Sequence, residues 1–128
     1  MSLFKVDGKS YNVAVKSLKR TFQVLDGENA GRNLNGEMIR DVIGTYYNYS
    51  VEIARKEASP EEYDSLYEVI SSTDDFHTFE MPYGQSVYTF KGYVSNGSDE
   101  LRRIENNKKI WGNLAFNMIA KVPKRRPL

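Results

Sequence analysis

The run MIRDVIGTYYNYSVEI, Met38 to Ile53, decides the fold class. Ile43, Thr45, Tyr47, Tyr49, Val51 and Ile53 share one parity, while Asn48, Ser50 and Glu52 share the other. Successive side chains of a strand point to opposite faces, so this alternation describes a long strand with one face turned to a core. Gly44 interrupts it, and a glycine weakens a strand interior unless the backbone needs the freedom, which predicts a bulge or bend there. Tyr46 falls on the opposite parity from Tyr47 and Tyr49, so one set packs a core while the other is free to meet a partner.

Upstream lies LDGENAGRNLNGEM, Leu25 to Met38, with three glycines and three asparagines. Measured against an EF-hand calcium loop, Asp26, Glu28, Gly31 and Glu37 occupy the first, third, sixth and twelfth positions, but Ala30 stands where a fifth-position oxygen is needed. Measured against a phosphate-binding loop, Gly31 and Gly36 have the right separation, yet Glu37-Met38 replaces the required Lys-Ser/Thr pair. The segment is expected to be a flexible loop over about residues 26–37, or an arm ordered by a neighbouring subunit.

Further upstream, LKRTFQVL places Leu18, Phe22 and Val24 on one side and Lys19, Thr21 and Gln23 on the other, the pattern of a half-buried strand. Tyr11, Val13 and Val15 alternate with polar or small neighbours. Asp7-Gly8, between FKV and YNVAV, is a strong signal for a tight hairpin.

Downstream, ASPEEYDSLYEVISS reads as a helix over about residues 60–72. Ser59 and Glu62 make a capping box, Pro60 suits the first turn, and Tyr63, Leu66, Tyr67 and Ile70 form one buried stripe. Period two then returns in HTFEM, a PYGQ turn and SVYTFKGYV. SNGSDE reads as a loop, LRRIE as a short strand, NNKK as a turn and IWGNLAFNMIAKV as a last strand. In that strand Ile110, Leu114, Phe116, Met118 and Val122 share one face against Trp111, Asn113, Asn117 and Lys121. The expected fold is mainly β in an α+β sense: an antiparallel β-sandwich or split barrel of about seven strands with one packed helix.

The 128 residues suit one domain. A formal net charge of +1 with 27% charged residues calls for neither nucleic acid nor a membrane surface. The chain has no cysteine, which removes disulfides, thiolate nucleophiles and sulfur-ligated metals. No apolar run suits a signal peptide or a bilayer span, so cytosolic synthesis is expected, and the sequon-like Asn48-Tyr49-Ser50 and Asn96-Gly97-Ser98 are discounted. His77 is the single histidine, so any imidazole relay must centre on it, and no elbow motif marks a serine partner. Glu61, Glu62 and Asp64 sit in the first helical turn, where the dipole stabilises them, rather than as a catalytic pair. No enzymatic activity, cofactor, metal or small-molecule substrate is expected. Nine tyrosines raise the prospect of a stacking platform, but their strands lack the lysines and arginines of a nucleic-acid groove. Polar-tipped aromatics suit protein interfaces instead. The basic end KVPKRRPL is expected to fray over about residues 123–128, the alternative being contact with nucleic acid or an acidic protein surface.

MSLFKVDGKSY, GRNLNGEMIRDVIGTYYNYSVEI, SPEEYDSLYEVIS, MPYG and WGNLAFNMIAK occur in this order. Together they resemble the small tail proteins of siphophages and prophages of Gram-positive bacteria, over about Ser2 to Lys121. The most specific parts are Gly31 to Asp41 and Trp111 to Asn117. The resemblance implies a virion structural protein of the tail, made in the host cytoplasm, that assembles with itself into a ring and with other tail proteins. It implies a fold similar to tail-tube and distal-tail proteins, with the early loop reaching a neighbour. Asn29, Arg32, Asn33, Leu34, Asn35, Tyr46, Trp111, Asn113 and Asn117 are then the candidate subunit interface. The alternative is a small bacterial β-sandwich module that binds carbohydrate or peptide through exposed tyrosines and Trp111.

Overall fold

The computed structural model describes residues 4–126. The first hairpin joins β1 (Lys5–Val6) to β2 (Lys9–Ser10) through Asp7 and Gly8, whose φ values of 52° and 81° are those of a two-residue turn matched to strand twist. Two long antiparallel ribbons follow. The first pairs β3 (Ala14–Asp26) with β6 (Val42–Ala54), from Ala14 opposite Ala54 to Asp26 opposite Val42. The second pairs β8 (Ser86–Glu105) with β9 (Lys108–Ala120), turning at Asn106 and Asn107 with φ of 51° and 66°. β7 (His77–Tyr83) joins β8 through a turn at Gly84 and Gln85, and β1 pairs with β7. The resulting sheet has seven strands in the order β2-β1-β7-β8-β9-β6-β3, with every pairing antiparallel. With its one helix it is the mainly β, antiparallel fold that the alternation predicts.

The core follows parity. Tyr49, Val51 and Ile53 of β6 meet Leu114, Phe116 and Met118 of β9, with Phe79 and Met81 of β7 and Val6 of β1 in the same cluster. Each such side chain withdrawn from water stabilises the fold by roughly 1.5–3 kcal/mol. Helix α1 (Pro60–Ile70) closes the cluster with Tyr63, Leu66 and Ile70.

Several expectations are corrected. The helix ends at Ile70, two residues short, where the Ser71 N–H and hydroxyl both donate to the Tyr67 carbonyl. Ser59 does not cap it through its side chain: the buried hydroxyl donates to the Asn12 carbonyl at 2.9 Å, tying the helix start to the loop before β3. Tyr67 is 40% exposed and leaves the buried stripe. SNGSDE is not a loop, because β8 runs through it with register shifts near Val94, Ser98 and Leu101; the small polar residues mark bulges. Tyr11 and Val13 are buried outside any strand, and Val122 is exposed beyond β9. LKRTFQVL is a strand, but Phe22 is 71% exposed and Val24 is exposed too, because this part of β3 runs past the core.

The decisive geometry is an offset. β6 pairs with β9 only over Tyr49–Ile53 against Leu114–Met118. Since the strands are antiparallel, the first half of β6 runs beyond the end of β9, and the first half of β9 runs beyond the end of β6. Two ribbons therefore leave a common waist in opposite directions.

Candidate assembly surfaces

One ribbon ends in the glycine-rich segment, which contains a second small sheet of β4 (Gly31–Arg32) and β5 (Met38–Ile39). Asn33 organises its turn: its side-chain oxygen accepts the N–H groups of Asn35 and Glu37, both at 3.0 Å, and its own N–H donates to the Glu37 carbonyl at 2.9 Å. Arg32 donates to the Gly36 carbonyl at 2.8 Å, and Gly36 has a φ of 81° that suits glycine. Asp26, first ligand in the calcium reading, instead pairs with Arg40 at 2.8 Å. Asn29 is exposed and Leu34 is fully so. Phe22, Met38, Ile39 and Ile43 are exposed on the same arm, a concentration of apolar surface of the kind that marks interaction sites.

At the base of this arm Tyr46 is half-buried and packs against the core. Tyr47, Tyr83 and Tyr88 form a ring cluster with centroids 5.3–6.4 Å apart. Arg20 lies 5.3 Å from the Tyr83 centroid, and Lys124 lies 4.9 Å from that of Tyr88. The Tyr83 hydroxyl is drawn below the ordinary phenol range by the hydrogen bond with Tyr47, aided by Arg125 and Lys124 against a weaker effect of burial. The basic tail, expected to fray, reaches this patch by backbone bonds: Thr45 N–H to the Arg125 carbonyl at 2.9 Å and Lys124 N–H to the Thr45 carbonyl at 3.0 Å. Pro127 and Leu128 lie outside the described residues.

The other arm carries Trp111 and Asn113. Asn113 has a φ of 56° within β9, a conformation that asparagine tolerates better than most residues. Its amide donates to Glu100 and its oxygen accepts from Lys16 at 2.9 Å. Between this arm and the helix lies a cleft of about 400 Å³ lined by Tyr63, Asp64, Tyr67, Glu68, Asp99 and Trp111. Tyr63 donates its hydroxyl to Asp99 at 3.0 Å, and burial together with that carboxylate pushes its phenol well above the ordinary range. Asn117 sits at the waist, accepting the Ser50 hydroxyl at 2.7 Å, beside a shallow groove of about 430 Å³ lined by polar residues of four strands such as Lys19, Glu52 and Ser98. The nine candidate interface residues thus form no single site: five occupy one tip, Tyr46 its base, Trp111 and Asn113 the opposite arm, and Asn117 the middle.

His77 is buried, with Nδ1 2.7 Å from Asp7 Oδ2 and Nε2 3.5 Å from the Ser72 hydroxyl. The order Ser-His-Asp is that of a hydrolase relay, yet Ser72 follows the C-terminus of the helix, where the dipole opposes developing negative charge. The Ser72 N–H is already given to the Val69 carbonyl, so it is not free to stabilise an oxyanion. The relay's geometry serves the fold: Asp7 also accepts the Thr78 N–H at 2.8 Å, fastening the first turn to β7. Among the described residues no cluster of three or more acidic or histidine side chains is placed to hold a metal, and no helix is long and apolar enough to cross a membrane.

Sequence reading missed both the tyrosine-cation patch and the acidic cleft, because each gathers residues from distant segments. The one legible sign was Asp64 and Glu68, one helical turn apart, with no basic residue in the last turn. Compared with protein-family models, curated proteins and solved structures, the chain matches none.

Proposed function

We propose that this chain is a non-enzymatic structural subunit that assembles into a ring, as a component of a phage or prophage tail. The observation that carries the assembly reading is the offset of β6 and β9, which sends two ribbons with different surfaces in opposite directions. A subunit whose two ends differ associates head to tail, and such contacts close into rings when the rotation allows. The exposed apolar residues of the first arm and the long free edge of β3, last in the sheet, support the same reading. The tail assignment rests on the resemblance of Gly31 to Asp41 and Trp111 to Asn117, and with it comes residence in the virion and contact with other tail proteins.

The test follows a tagged copy through prophage induction and counts it by mass spectrometry in gradient-purified particles. The full chain should be incorporated at a fixed ratio to the major tail subunit, while a chain lacking Asn29 to Asn35 should fold, keep its circular dichroism and be left out. Absence of the full chain from intact particles would refute the tail assignment.

A further inference from the structure

Charge is segregated along the molecule although the chain as a whole is nearly neutral. Arg20, Lys124 and Arg125 gather beside the Tyr47, Tyr83 and Tyr88 rings, and among the described residues none of the three forms an ion pair. Asp64, Glu68 and Asp99 line the cleft at the other end, and none of them has a cationic partner there. On the arm that carries the cleft, Lys16 pairs with Glu52, Arg102 with Glu100 and Arg103 with Glu105, while Lys108 and Lys109 at its hairpin end form no ion pair among the described residues. Asp99 lies eleven residues beyond Tyr88 on β8, so the two patches belong to different stretches of the same strand.

We propose that the acidic cleft of one copy receives the basic patch of the next. This rests on the self-assembly reading above and names the contact that joins the subunits. Both surfaces have aromatic walls: Trp111 and Tyr67 in the cleft stack with an arriving guanidinium, while the three tyrosines hold the cations in place on the other copy. Covering the rings removes water, which strengthens attraction between the enclosed charges. The two surfaces are unlike, so the contact is heterologous and each copy uses both ends.

The experiment is a charge swap on the full chain, read by light scattering and electron microscopy. One variant carries Asp64→Lys with Glu68→Lys and the other Arg20→Glu with Lys124→Glu, all four at exposed positions, with thermal unfolding confirming that each is folded. Either variant alone should lose the assembled species, because its two ends now repel. Mixed in equal amounts they should regain it, since each end then finds its opposite. Assembly of the single variants at the wild-type level would overturn this contact and leave ring formation standing, as would loss without recovery on mixing. A wild-type chain that stays monomeric at every concentration would remove the self-assembly reading, and this contact with it.

Discussion

At Gly44 the chain gives up a side chain so that another segment can lie against β6. A Cβ there would come within 2.7 Å of the Pro123 Cβ and would also meet the Arg125 carbonyl. Gly44→Ala should cost about 1–3 kcal/mol, as overpacking does, and should loosen the segment that carries Lys124 and Arg125. Thermal unfolding and the rate of trypsin cleavage after those residues check this; an unchanged variant would show that the docking is not tight. Asp7 offers a test of a different kind. Burial raises its carboxyl, but hydrogen bonds from His77 and the Thr78 N–H outweigh it and hold the group below the ordinary carboxylate value. The folded state therefore favours the ionised form, and the stability this contributes is complete above about pH 4 and lost as pH falls through the lowered value. Asp7→Asn should be less stable at neutral pH and should show a shallower loss between about pH 5 and pH 2 in denaturant titrations. The register shift beside Gly44, where Leu25 opposes Gly44 but Asp26 opposes Val42, was legible from the glycine's place in an alternating run. The Asp7–His77 pair was not, because 70 residues separate the partners and neither neighbourhood has a motif.

Elements that look alike in sequence separate by where they lie. LKRTFQVL and IWGNLAFNMIAKV both alternate, yet one contributes exposed Phe22 and Val24 and the other buried Leu114, Phe116 and Met118. Period two specifies that a strand has two faces; which face is covered depends on its neighbour, and past the waist β3 has only β6 beside it. Leu66→Ala, at the fully buried seat of the helix, should therefore cost about 2–5 kcal/mol. Phe22→Ala should change folding stability by no more than about 0.5 kcal/mol and weaken assembly instead. Urea unfolding beside light scattering distinguishes the two, and a large folding defect in Phe22→Ala would mean that the arm is part of the core. The passage of β8 through SNGSDE was illegible for a related reason, since glycine, serine and asparagine mark bulges as readily as loops.

At the scale of the whole molecule, seven antiparallel strands and one helix follow from alternation and one helical stripe, whereas the offset between the ribbons does not. Register between β6 and β9 depends on which apolar residues meet across the core, and nothing local to either strand encodes it. The candidate interface drawn from sequence reached both arms but missed the charged ends, whose members converge only after folding. The narrow seam also has a kinetic meaning. β7 with β8 and β8 with β9 close locally, whereas Ile53 finds Leu114 across 61 residues and Lys5 finds Glu80 across 75. Long closures are entropically expensive and slow, so the ribbons form early and their joining sets the folding rate. Substitutions at Val51 or Phe116 would then delay folding, while changes at either tip would leave its speed untouched.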